Sequence, residues 1–146
     1  TLGDYAYNRQ VYQEAMAAYR KVLERYPDSP VAAQVPRLIS DLEEAIAYQY
    51  YEQSLALMDS AEVTKNEEYF EQTIRLFQEI GERYPGTEAA LGALSNMGVC
   101  LEGLGRWREA VEVYDRVIEL YEEKQASKEA FLFAKTHRDW IVTTRL

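Results

Sequence analysis

The chain has 146 residues, of which 47% are apolar and 28% charged, so it is long enough for one domain with a substantial core. Its 25 Asp and Glu outnumber its 16 Lys and Arg, which gives a net charge of −9. This excess argues against nucleic acid as a partner, because phosphate binding needs a clustered cationic face. No apolar run is long enough to cross a bilayer, so the sequence predicts no membrane insertion.

Three segments of the chain repeat one pattern of apolar residues: 12–27, 70–85 and 107–122. Each opens with an aromatic residue, which is followed at fixed intervals by a small residue, a second aromatic and a β-branched residue. At 3.6 residues per turn the last three fall on one face, so the pattern predicts three amphipathic helices. These residues are Ala15, Tyr19 and Val22; Thr73, Phe77 and Ile80; and Ala110, Tyr114 and Val117.

The third segment is preceded by a second predicted helix. Thr87 can cap its N-terminus, and Gly103 and Gly105 end it and turn the chain into Trp107. Gly98, in the middle of this helix, costs about 1 kcal/mol relative to alanine. We expect close contact with the following helix to compensate. The residues from Thr87 onward therefore predict a helical hairpin.

The hairpin resembles the signature of the tetratricopeptide repeat (TPR), a helical hairpin of about 34 residues. The resemblance implies an all-α, TPR-type α-solenoid of antiparallel helical hairpins, with about three repeats plus a C-terminal helix. It covers the whole chain as a single superhelical domain, 1–146. The matching residues are Leu94, Met97, Gly98, Leu101, Gly105, Trp107, Ala110, Tyr114 and Val117.

The resemblance divides the chain unevenly. Leu2-Gly3 corresponds to the middle of a first TPR helix, so we expect repeat 1 to be a hairpin that lacks its beginning. Ser127 can cap the last helix, which is either a terminal cap or followed by further repeats. The expected segments are repeat 1 over 1–27, an irregular repeat 2 with a long first helix over 30–85, repeat 3 over 87–122, and a terminal or capping helix over 127–146.

The irregular repeat contains Pro36, which is expected to break a helix begun at Ser29-Pro30. The sequence therefore predicts a short helical turn at 30–35 and a long helix from about 36 to 58. A loop with Lys65-Asn66 follows, and Asn66 is expected to cap the next helix. Two TPR registers of the long helix remain open, one on Ala47 and Tyr50 and the other on Ser54 and Leu57.

No motif for catalysis, metal binding or cofactor binding emerges. The adjacent glutamates at 43–44, 67–68 and 122–123 diverge by about 100° on a helix, so they do not converge on a substrate. His137 has no neighbouring ligands at metal-binding spacing, and Cys100 occupies a helix-packing position. We therefore expect a non-catalytic protein without a cofactor.

The resemblance implies a partner-binding concave face, lined by the first helix of each hairpin. By register it includes Asp4 and Tyr7 in repeat 1 and Ser95, Val99 and Glu102 in repeat 3, with Asn96 at its margin. Tyr48, Tyr50 and Tyr51 cluster on the long helix, and Tyr48 and Tyr51 are candidate anchors for a peptide. The alternative is that two of these three tyrosines pack against flanking helices.

The predicted partner is a protein or peptide, bound within a larger assembly, whose basic and apolar side chains suit a mildly acidic groove with tyrosines. Capture of a chaperone's C-terminal carboxylate is not expected, because only Asn96 matches the residues that TPR domains use for it. Two alternatives stay open: a homo-oligomer formed through exposed ends of the array, and a docking or regulatory segment of a longer enzyme or signalling protein. The Tyr-Pro turns at 26–30 and 84–87 resemble those of bacterial cell-envelope TPR proteins, although a cytoplasmic location fits equally.

Overall fold

The computed structural model describes the backbone of residues 2–146 and the side chains from residue 7 onward. Over this range the chain forms six helices and no strand, which confirms the all-α prediction. The helices are α1 (Leu2–Arg25), α2 (Pro30–Thr64), α3 (Glu67–Arg83), α4 (Glu88–Gly103), α5 (Trp107–Glu122) and α6 (Lys128–Thr144).

The helices pack in two rows. Each helix contacts its neighbours in sequence, and α2 also packs on α4, and α4 on α6. The even-numbered helices therefore form a continuous layer, as expected for an α-solenoid of stacked hairpins. No helix in the described part of the chain is both long and apolar enough to cross a membrane.

Side-chain caps begin four of the helices. The predicted caps Asn66, Thr87 and Ser127 each accept a backbone N–H of the first turn, and Ser29 does the same before Pro30. Because proline disfavours helical geometry in the preceding residue, α1 and α3 end just before their Tyr-Pro pairs. Local sequence thus sets most helix boundaries.

The predicted break at Pro36 is wrong. One helix of 35 residues runs through this proline, so neither the short turn at 30–35 nor the helix end at 58 is observed. The Pro36 ring is exposed, while Ala32, one turn before it, and Val35, next to it, are only 3% and 0% exposed. The buried face continues past the proline, and this packing outweighs the lost hydrogen bond to the carbonyl of residue 32.

Replacing Pro36 with alanine is therefore expected to stabilise the protein, by up to about 3 kcal/mol, because the missing helical hydrogen bond is restored in place. Urea unfolding followed by circular dichroism measures the gain. If a helix began at Pro36 instead, the same substitution would not raise the stability, since proline is favourable in the first turn.

The hairpin predicted within residues 1–27 is also absent, because α1 is continuous from Leu2 to Arg25. In the third hairpin, Gly105 turns the chain with a φ of 71°, a value that glycine adopts without strain. Gln10 stands at the aligned position in the first segment, and no glycine or proline occurs between Asp4 and Arg25. The chain therefore lacks a residue suited to the turn, and the helix continues.

The repeated pattern is buried to different degrees in the three segments. In α3 and α5 the small residue, the aromatic and the β-branched residue are at most 2% exposed, whereas in α1 all three are only half-buried. The reason is that α2 is the only helix on which the described part of α1 packs, apart from an edge-to-face contact of Tyr12 with Tyr84 after α3. By contrast, α3 and α5 each lie between two even-numbered helices. Ala47 and Ser54 are both fully buried and lie seven residues apart, so the two candidate registers follow one buried stripe of α2.

Candidate partner-binding surface

The contact between α2 and α4 is built around Tyr51. The amide of Asn96 donates to the Tyr51 hydroxyl at 2.7 Å and to the carbonyl of Gly92 at 3.1 Å. A Cβ at position 92 would lie 2.8 Å from the Tyr51 hydroxyl oxygen, so glycine leaves the room that this tyrosine occupies. Burial raises the pKa of Tyr51 against a smaller opposing effect of the Asn96 hydrogen bond, and the hydroxyl stays neutral.

The three clustered tyrosines of α2 face different environments. Tyr50 is buried and donates to the Glu79 carboxylate, and Tyr51 packs against Phe77 with ring centroids 6.1 Å apart. Tyr48, one turn before Tyr51, is 56% exposed, and its hydrogen bond to Glu52 raises its pKa. Two of the tyrosines therefore pack against neighbouring helices, and Tyr48 projects into solvent beside a carboxylate.

Glu102 connects three helices. Its carboxylate accepts the hydroxyl proton of Tyr114 and lies 2.7 Å from Nδ1 of His137. Burial is the largest cause that raises the pKa of Tyr114, followed by the Glu102 hydrogen bond, so this hydroxyl remains a donor. The ring of Phe133 lies 4.3 Å from that of His137. Glu102 and His137 are 35 residues apart, so sequence spacing gave no signal of their contact.

The other predicted site residues are placed as follows. Val99 is half-exposed, whereas Ser95 is only 8% exposed and donates its hydroxyl to the carbonyl of residue 91. Tyr7 is 69% exposed, and the adjacent Asn8 donates to Gln49 at 3.0 Å, which places this part of α1 beside α2 near Tyr48. The side chain of Asp4 lies outside the described residues.

A second contact between α2 and α4 was not predicted. The carboxylate of Glu44 accepts the backbone N–H of Glu88 at 3.2 Å, at the positive end of the α4 dipole. Together with the Tyr51–Asn96 bond, it aligns the two helices side by side. We call the accessible side of the even-numbered helices the even-helix surface, defined by Tyr48, Tyr51, Glu52, Asn96, Val99, Glu102 and Phe133.

Neither a reactive thiol nor a metal-ligand cluster is found among the described residues. Cys100 is fully buried, and burial raises the pKa of its thiol to about 12, so the reactive thiolate does not form near neutral pH. Among the described residues, no three His, Cys, Asp or Glu side chains are grouped so as to hold a metal ion. The even-helix surface consists of aromatic, aliphatic, amide and carboxylate groups suited to non-covalent contacts.

Comparison with known families agrees with this architecture. Two family models described as tetratricopeptide repeat match the chain, one over residues 93–126 and the other over residues 2–29. The chain is a tetratricopeptide-repeat protein. The first match covers most of the α4–α5 hairpin, and the second falls on α1 and the loop after it. A search of curated proteins found no match.

The TPR assignment gives the chain a general role, because tetratricopeptide repeats mediate protein–protein interactions and scaffolding and are typically non-catalytic modules. In this TPR protein the packing of α5 against α4 depends on Gly98. A Cβ at Gly98 would lie 2.5 Å from the buried Tyr114 ring, so the predicted close helix contact is confirmed.

Proposed function

We propose that this TPR chain is a non-catalytic scaffold that binds an extended or helical segment of a partner protein along the even-helix surface. The observation that carries the proposal is Tyr48, which is 56% exposed beside Glu52 on the helix that packs against α4. Tyrosine supplies a large contact area at a low entropy cost, which makes it a frequent anchor at interfaces.

The charge and polarity of this surface favour a partner segment with basic and apolar residues. Glu52 is exposed, and a lysine or arginine of the partner can pair with it while packing against the ring of Tyr48. Val99, half-buried on α4, offers its accessible part as an apolar contact for a neighbouring side chain of that segment. The net charge of −9 also speeds the approach of a basic segment.

Selection from a displayed peptide library tests the proposal, and we expect the enriched peptides to combine Lys or Arg with apolar residues. Tyr48→Ala and Val99→Arg should each weaken binding of a selected peptide by about tenfold or more, measured by fluorescence anisotropy. Tyr26→Ala and Val31→Arg are the matched controls, because both residues are exposed and lie outside this surface.

Val31 precedes Tyr48 by 17 positions on α2, a separation of about 25 Å along the helix, so the same added charge acts far from the proposed contacts. Equal loss in the control and test variants would reject the even-helix surface. Enrichment of acidic peptides that bind independently of Tyr48 would reject the partner chemistry.

A second candidate function is self-association through α6. This helix leaves three large apolar side chains in contact with solvent: Leu132, Trp140 and Val142, at 49%, 43% and 39% exposed. Sedimentation across a range of concentrations tests it. A species that stays monomeric at every concentration would exclude this candidate and leave the partner-binding proposal intact.

A further inference from the structure

A groove lies between the α4–α5 turn and the end of α6, on residues that the even-helix surface does not include. Its lining residues are Gly105, Arg106, Trp107, Arg108, Glu109, Arg145 and Leu146. The guanidinium of Arg145 lies 5.1 Å from the ring centroid of Trp107 and 5.4 Å from that of Trp140. The two indoles contact each other edge to face at 6.0 Å. An arginine is thus held on an aromatic floor.

The side-chain carboxylates of Glu71 and Glu109, near this groove, are already committed to a different arginine. Arg106 pairs with Glu109 through Nε at 3.1 Å and Nη2 at 2.5 Å, and with Glu71 through Nη1 at 3.1 Å. Among the described side chains, neither Arg108 nor Arg145 forms an ion pair. The groove therefore presents two guanidinium groups without an ion-pair partner among the described side chains, in a protein whose net charge is −9.

We propose that this groove binds an acidic segment of a partner protein, with one carboxylate held by Arg145 and a neighbouring apolar side chain placed against the indoles. The Arg145 guanidinium lies within cation–π distance of both indoles, and its N–H donors pair with no described carboxylate, so they are available for a bidentate carboxylate. Contact with the two indoles limits the rotamers of Arg145, so less entropy is lost on binding.

The charge of the groove favours a short acidic peptide segment over other ligands. The local excess of cations is confined to Arg108 and Arg145, which matches one or two carboxylates. A long polyanion such as nucleic acid would extend over the acidic remainder of the chain, where its phosphates would be repelled. The groove is locally positive and the even-helix surface is acidic, so one chain would bind two segments of opposite charge.

The test uses the full chain and a short fluorescently labelled peptide in which glutamate alternates with leucine. Binding is measured by anisotropy, and the expected Kd is below about 1 mM. Arg145→Gln should weaken binding by about tenfold, and Arg108→Gln by a smaller factor, because each removes a charge-assisted contact. Arg75→Gln is the control, since Arg75 is an exposed arginine of α3 outside the groove.

Intrinsic fluorescence locates the bound peptide, because the chain has two tryptophans: Trp107 lines the groove, and Trp140 contacts Trp107 and Arg145. The acidic peptide should change their emission, whereas the same peptide with lysine in place of glutamate should not. The proposal is overturned if the lysine peptide or an oligothymidylate strand binds the chain as tightly as the acidic peptide does. It is also overturned if Arg145→Gln and Arg75→Gln bind alike while circular dichroism shows both to be folded.

These outcomes are separable from the proposed function. Tyr48→Ala should leave binding of the acidic peptide unchanged, and Arg145→Gln should leave binding of a selected basic peptide unchanged. Loss of only one of the two activities would therefore reject only the corresponding site.

Discussion

Replacing Tyr114 with alanine is expected to lower the free energy of unfolding by about 3–5 kcal/mol, the range for removing a large aromatic side chain from a packed core. Tyr114 is 0% exposed, and its hydroxyl donates to Glu102, so the substitution leaves both a cavity and a half-buried carboxylate that has lost a donor. Urea unfolding followed by circular dichroism measures the loss.

The matched control is Tyr19→Ala at the position of α1 that aligns with Tyr114. Tyr19 is only half-buried, because α1 packs on a single helix, so we expect a loss of about 1 kcal/mol. Tyr114→Phe should lie between the two, at about 1–2 kcal/mol, because it keeps the ring and removes the hydrogen bond. Equal losses for Tyr19→Ala and Tyr114→Ala would contradict the different packing of the two helices.

Replacing Gly98 with alanine is expected to destabilise the protein by about 1–2 kcal/mol, even though alanine is the better helix former. The new Cβ would lie 2.5 Å from the ring of Tyr114, which is fully buried and fixed by Glu102 and so cannot move aside freely. Overpacking costs about 1–3 kcal/mol, and an overlap this severe with a fixed ring places the cost at the upper end, about 2–3 kcal/mol. The gain in helix propensity of about 1 kcal/mol then leaves a net loss of about 1–2 kcal/mol.

Gly81→Ala is the control, and we expect it to stabilise the protein. Gly81 lies inside α3, and a Cβ there would meet no atom within 4 Å, so only the gain in helix propensity of up to about 1 kcal/mol remains. Stabilisation by both substitutions, measured in parallel by thermal and urea unfolding, would show that α4 and α5 do not pack through Gly98.

The sequence predicted the parts of the fold that local chemistry determines. The caps Asn66 and Thr87, the turn at Gly105 and the small residue Gly98 each act through neighbours a few residues away, or through a hairpin partner whose position the repeat defines. Burial of the aromatic in α3 and α5 followed from the same repeat.

The errors came from packing that a local pattern does not contain. Pro36 was expected to end a helix, but burial of Ala32 and Val35 carries α2 through it. The hairpin expected in residues 1–27 depended on the resemblance, whereas Gln10 lacks the conformational freedom of the glycine that makes the turn in the third hairpin.

The candidate sites were only partly predictable. Tyr51 and Asn96 were selected separately, and the structure joins them by a hydrogen bond. The Glu102–His137 contact and the cation–π contact of Arg145 with Trp107 join residues more than 30 positions apart. Such pairs depend on how α6 docks on α4 and α5, and one sequence carries no record of that docking.

The central claim is that the even-helix surface binds a partner segment, and mapping of amide chemical shifts by NMR tests it most directly. A peptide selected from the library is titrated into the isotope-labelled chain. The account predicts that the largest shifts lie at Tyr48, Glu52, Asn96 and Val99, and that they are lost in Tyr48→Ala but kept in Tyr26→Ala. Shifts concentrated on α1, α3 and α5, with the even-numbered helices unchanged, would contradict it.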